Sequence, residues 1–152
     1  MSGAGPLVPP AGLTVAIPTY RRPGAVARAL RAVLAEAPDA DGPVEILVID
    51  NDPHGSAREA VAEAAGSAPG AAVRYVVEPA PGVSAVRNRA LDETADRALL
   101  IFIDDDEEPE AGWLRRLLST RRDTGAAAVA GLVVPDYEAE PGPWLRAGGF
   151  FD

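Results

Sequence analysis

The chain has 152 residues, with 14 basic side chains, all arginine, against 23 acidic ones, giving a formal net charge of −9, and it contains no cysteine. A hydrophobic fraction of 47% over this length suffices for one globular domain, whereas the acidic balance argues against nucleic acid or an anionic membrane surface as partner, since both need clustered cations. Without cysteine there is no disulfide frame, thiolate metal site or cysteine nucleophile, and without lysine there is no Schiff-base chemistry and no P-loop.

Residues 1–12 are rich in Gly and Pro and read as a flexible lead-in. They lack the basic start and apolar stretch of a signal peptide, and no apolar run is long enough for a transmembrane segment, so the cytoplasm is the expected location. Short β-branched runs predict strands at 13–18, 44–50, 73–78, 99–104 and 127–134. Between the first two, Val26, Leu30, Val33 and Leu34 recur at i, i+4, i+7 and i+8, one face of a helix that Pro38, Gly42 and Pro43 stop. An alanine-rich helix is expected at about 56–65, a third at 84–94 and a fourth at 111–124, with Trp113, Leu114, Leu117 and Leu118 as its apolar side. The alternation predicts an α/β fold: an open, mainly parallel sheet with right-handed crossovers and helices on both faces. The expected domain covers 13–134. Residues 135–152 read as a linker without a further element, ending in Phe150 and Phe151, either a docking surface or an unpaired remnant of the fold.

Ligands of open parallel sheets bind outside the carboxyl ends of the strands, and the unusual residues of this sequence fall there. Strand one runs into Pro18-Thr19-Tyr20-Arg21-Arg22, strand two into Asp50-Asn51-Asp52-Pro53-His54, strand three into Glu78-Pro79-Ala80-Pro81-Gly82 and strand four into five consecutive carboxylates, 104–108. Two unit charges 4 Å apart repel by about 1 kcal/mol in water and about 4 kcal/mol at an effective dielectric of 20. Carboxylates crowded on a rim therefore need protonation, separation or a cation, and all-oxygen ligation suits Mg²⁺ or Mn²⁺. Favourable placement at the start of the next helix explains Glu107, Glu108 and Glu110, but not Asp104 at the strand end. Asp50 either caps its turn or accepts a hydrogen bond from a ligand. Tyr20 is a packing residue or a stacking platform, His54 a solvated turn residue, and Arg87 a solvated helix residue or a phosphate contact.

These segments resemble the N-terminal, nucleotide-sugar-binding half of a family 2 glycosyltransferase of the GT-A (Rossmann-like) fold. The resemblance rests on four ordered motifs between residues 13 and 135: Val15-Ala16-Ile17-Pro18-Thr19-Tyr20-Arg21-Arg22, Val48-Ile49-Asp50-Asn51-Asp52-Pro53, Gly82-Val83-Ser84-Ala85-Val86-Arg87-Asn88, and the D-x-D strand end Phe102-Ile103-Asp104-Asp105-Asp106 followed by Trp113-Leu114. The second departs from the family's usual acidic pair and Gly-Ser turn. The resemblance implies that Pro18 and Tyr20 border the nucleobase, that Asp50 binds it, that Asp104 contacts the ribose and Asp105 helps place the loop. It further implies that Asp106 binds a Mg²⁺ or Mn²⁺ bridging the diphosphate of a nucleotide-sugar donor, for inverting transfer to an unknown acceptor. The family's general base lies beyond the D-x-D motif in an acceptor half that this length does not accommodate. The expectation is a truncated enzyme, a chain completed by a partner carrying the acceptor half, or a pseudo-glycosyltransferase acting as an interaction domain. A haloacid-dehalogenase-like phosphatase is disfavoured by the missing lysine and by the position of the acidic pair on the fourth strand.

Overall fold

The computed structural model describes residues 12–40, 42–68, 70–137, 139–140 and 142–148; the lead-in before Gly12 and the pair Phe150 and Phe151 lie outside them. The elements are β1 (Leu13–Thr19), α1 (Pro23–Glu36) with a short 3-10 turn (Ala37–Asp39), β2 (Val44–Asp50), α2 (Arg58–Gly66), β3 (Ala72–Val77), α3 (Val83–Glu93), β4 (Leu99–Phe102), α4 (Trp113–Thr124) and α5 (Pro143–Gly148). Packing divides the chain into a unit up to Arg116 and a second from Leu117 onward.

In the first unit the four strands form one parallel sheet in the order β3-β2-β1-β4. Its alternating side chains fill two cores. Val15, Ile17, Ile46 and Val48 face α1 and α2, where Val26, Leu30 and Val33 are fully buried and Ala27 and Ala29 are small enough for close approach. On the opposite face Ala16, Leu47 and Ile49 meet Val86 and Ala90 of α3, so helices cover both sides as expected. Burying each Leu, Ile or Val side chain contributes roughly 1.5–3 kcal/mol. Pro23 opens α1 at a position whose N–H needs no partner, with φ already set for the helix.

The α3 side also carries ions near the start of the strands. Arg74 Nε donates to Glu45 Oε1 at 2.9 Å and its Nη1 to Glu93 Oε2 at 2.8 Å, while Arg97 reaches Glu45 Oε2 at 3.0 Å and Arg89 reaches Glu93 Oε1. This network ties β2 and β3 to α3.

Three expectations are corrected. Residues 127–134 form no strand, and Leu132, Val133 and Val134 are exposed. β propensity becomes a strand only where a ladder supplies partners and one face is buried, and this run has neither. The segment after residue 135, read as devoid of elements, instead contains α5, begun by Pro143 and accompanied by an Arg146–Glu140 pair at 3.1 Å. β4 also stops two residues short of its expected end, because its ladder with β1 closes at Ala16↔Phe102 and a last bond from Ile103 N–H to Ala16 O.

The chain lays down β1, β2 and β3 in one direction across the sheet, then α3 carries it back over the other face to place β4 on the far side of β1. The order therefore reverses between β1 and β4, and a reversal of this kind opens a crevice at the carboxyl ends of the strands.

Candidate functional site

At the reversal, β1 ends in Pro18 and Thr19. Ala16 O bonds toward β4 and Thr19 O accepts from Asn51 N–H on the β2 side at 2.8 Å, so Pro18, two residues after Ala16, faces the side where β4 has already ended. Its missing N–H therefore costs no ladder bond. The turn that follows holds Arg21 at φ +55°, a left-handed conformation uncommon for a non-glycine residue. It sends the two arginines to different acids. Arg21 Nε lies 3.4 Å from Asp52 Oδ2 with its guanidinium 4.9 Å over the exposed Tyr20 ring, while Arg22 turns toward the loop after β4.

That loop presents the three predicted aspartates differently. Asp105 is buried, and its Oδ2 accepts from Thr19 Oγ1 at 2.7 Å. Arg22 Nη1 stands 3.2 Å from Asp105 Oδ1 and 2.9 Å from Asp106 Oδ2. Attraction to Asp105, followed by the hydrogen bond to Asp106, raises the Arg22 pKa further above its ordinary value. Asp104 is half-exposed. Its N–H donates to Glu107 Oε2 at 3.0 Å, and its carboxylate lies 3.7 Å from Arg87 Nη2, whose guanidinium covers the Phe102 ring.

The end of β2 is built differently. Asp50 has no exposed surface, and three donors converge on it: Asp52 N–H on Oδ1 at 2.9 Å, and Ala57 N–H and the Tyr75 hydroxyl on Oδ2 at 2.8 and 2.6 Å. Burial, then the bond to Asp50, pushes the Tyr75 phenol well above its usual pKa. Asn51 donates through Nδ2 to Glu78 O and Ala80 O and accepts from Gly82 N–H through Oδ1. One side chain thus pins the β3–α3 loop, and only an amide carries the two donor hydrogens and the acceptor oxygen that these three bonds require. Gly82, at φ +113°, lets that loop turn into α3. Asp52 Oδ1 accepts from His54 N–H, which chiefly lowers its pKa, and His54 is exposed in the turn.

The structure therefore gathers Pro18, Tyr20, Asp104, Asp105, Asp106 and Arg87 around the β1 and β4 ends, and sets Asp50 beneath the rim of β2 rather than on it. Among the described residues no three His, Cys, Asp or Glu side chains form a metal-binding group. Two of them nevertheless already share one cation: the Arg22 guanidinium is a stand-in that shows Asp105 and Asp106 converging on positive charge. One or two carboxylates with oxygens from a substrate phosphate are a donor set suited to Mg²⁺ or Mn²⁺, so the residues present fit such an ion. Sequence reasoning placed Thr19, Arg22 and Asn51 in the strand-end segments without giving them a role, and passed over Tyr75. Adjacent arginines leaving a strand opposite an acidic run were a legible signal for Arg22; Tyr75 carried none.

Among described residues no helix is long and apolar enough to cross a membrane. A family model described as glycosyl transferase family 2 matches residues 14–149. The succinoglycan biosynthesis protein ExoM of Rhizobium meliloti (strain 1021) is 38% identical over 138 residues, which cover 91% of this chain and 44% of that protein. The mannosyltransferase PcManGT from Pyrobaculum calidifontis, solved in complex with GDP-Man and Mn²⁺, superposes with a TM-score of 0.55 at 25% identity, covering 70% of this chain and 30% of its own. S. aureus TarS 1-349, solved in complex with UDP-GlcNAc, gives a TM-score of 0.55 at 20% identity over 82% of this chain and 37% of its own, a likeness of fold. The chain thus spans less than half the length of each of these relatives.

Proposed function

The chain belongs to glycosyl transferase family 2, and from that premise we propose that its strand-end crevice binds a nucleoside-diphosphate sugar together with a divalent metal, for inverting transfer of the sugar to an acceptor. The observation that carries this reading is the convergence of Asp105 and Asp106 on a single cation at the reversal of strand order, with Thr19 fixing the buried partner. The structure solved with GDP-Man and Mn²⁺ supports it.

Asp106, exposed at the rim, is the metal ligand, and Asp105 is the positioning residue that holds the loop against Thr19. Asp104 faces the ribose and Arg87 keeps it oriented. Pro18 and Tyr20 border the base, and the ring of Tyr20, half in solvent, offers a face for stacking. Asp50 acts from below: by binding Asp52 N–H, Ala57 N–H and Tyr75 it sets the floor of the base-side loops. A metal bound at Asp106 supplies neutralisation of the charge that grows on the diphosphate as the glycosidic bond breaks. No residue of this chain is given the role of general base, which the family places beyond the D-x-D motif with the acceptor half.

Calorimetry of the full chain with UDP, GDP and dTDP, with and without Mn²⁺, tests the proposal. Binding of at least one nucleotide that requires the metal is expected. A folded sample that binds none of them overturns it.

A further inference from the structure

We propose that Arg22 couples metal loading to diphosphate binding: its guanidinium holds Asp105 and Asp106 while the site is empty and is released to the diphosphate when a nucleotide arrives with the metal. The inference rests on the metal–diphosphate reading above.

A single nitrogen, Nη1, is shared between Asp105 Oδ1 at 3.2 Å and Asp106 Oδ2 at 2.9 Å, so the guanidinium occupies the electrostatic position that a divalent ion would take. Its surroundings other than Asp106 are anchored independently of that contact. Asp105 keeps its bond to Thr19 through the other carboxylate oxygen. The Arg22 carbonyl accepts from Val26 N–H at 3.1 Å, tying its backbone to the first turn of α1, and Arg21 has its own partner in Asp52. The Arg22 side chain, by contrast, is 57% exposed and can swing without disturbing packing.

A bare Mn²⁺ must strip the guanidinium from two carboxylates and leave it in water. A metal that arrives with a diphosphate brings oxygens that the planar, multi-donor guanidinium binds well. Metal and nucleotide therefore favour one another, and by linkage each tightens the other by the same factor. The Arg22–Asp106 pair is exposed and the Arg22–Asp105 pair is open on the arginine side; pairs open to solvent are individually weak, so together they set the competition with bare metal at roughly two- to thirtyfold.

The test is Mn²⁺ affinity, read from the electron paramagnetic resonance signal of the free ion, for the wild-type chain, Arg22→Gln and Arg22→Lys, each alone and with saturating UDP or GDP. Arg22→Gln is expected to bind bare Mn²⁺ about tenfold more tightly, and the ratio of affinities with and without nucleotide is expected to fall at least as far. Arg22→Lys, which keeps the charge, is expected to retain most of that ratio, with far-ultraviolet circular dichroism confirming the fold of both. An unchanged ratio in a folded Arg22→Gln protein overturns the coupling and leaves the metal–diphosphate reading standing. Absence of Mn²⁺ binding to the wild type even with nucleotide overturns both.

Discussion

Replacing Asp50 by Asn separates a residue that builds the site from one that touches the ligand. The carboxylate accepts three hydrogen bonds, two on Oδ2 and one on Oδ1, in a position with no solvent access. An amide can keep at most two of the three. With Nδ2 in place of Oδ1, the Asp52 N–H faces another donor; with Nδ2 in place of Oδ2, the Ala57 N–H does, while the Tyr75 hydroxyl can turn and accept from the amide. Either orientation orphans one buried donor, at about 1–3 kcal/mol, and removes charge assistance from the other two bonds, so the expected loss is about 2–4 kcal/mol from a total of roughly 5–15. Tyr75→Phe, which removes only the phenol donor, should cost about 1–2 kcal/mol. Urea unfolding at neutral pH reads this as a lowered midpoint at unchanged slope. A wild-type midpoint for Asp50→Asn combined with lost nucleotide binding would refute the reasoning and return Asp50 to the base.

Asp106→Asn should weaken Mn²⁺-dependent nucleotide binding at least tenfold by calorimetry while leaving the unfolding free energy within about 0.5 kcal/mol of wild type, since Asp106 is exposed and its ion pair with Arg22 is at the surface. Leu30→Ala, at a fully buried position in α1, should cost about 2–5 kcal/mol in the same urea experiment. Arg74→Met breaks the bonds that join Glu45 and Glu93 and should cost about 1–2 kcal/mol, with the loss shrinking if Glu45 is also made Gln. Acid should destabilise the fold. The His54 N–H holds Asp52 below its ordinary 3.8 and the Arg74 bond holds Glu93 below its ordinary 4.5, so the native state binds fewer protons than the unfolded chain in that range. Their contribution is complete above those ordinary values and is lost as pH falls through the lowered ones. The urea midpoint should therefore drop between pH 5 and pH 3, and a flat profile there would contradict it.

Much of the first unit was legible because its signals are local. The run 44–50 is strand from end to end as expected, and the four residues read as one face of the first helix are all buried. The 127–134 run shows the limit of such reasoning, since its composition favours a strand but a ladder needs a neighbour that composition does not name. The acidic site divides along the same line. Asp104–Asp106 were visible as charges crowded at a strand end. Their cation, Arg22, lies 83 and 84 positions away from Asp105 and Asp106 and becomes their neighbour only because β4 lies beside β1. The Tyr75–Asp50 bond likewise follows from register: Tyr75 pairs with Val48, so it sits diagonally across from Asp50 on the same face of the sheet.

The two strands that carry Thr19 and Asp50 lie inside the sheet, whereas the acidic loop hangs from β4, a four-residue strand that among the described residues is bonded on one side only. Hydrogen exchange should follow that asymmetry, with the amides of β1 and β2 opening only near global unfolding and those of β4 opening in a smaller, local event. One wall of the crevice is then permanent and the other is kept in place by what it holds, so a bound ligand should slow exchange in β4 and the loop after it far more than in β1.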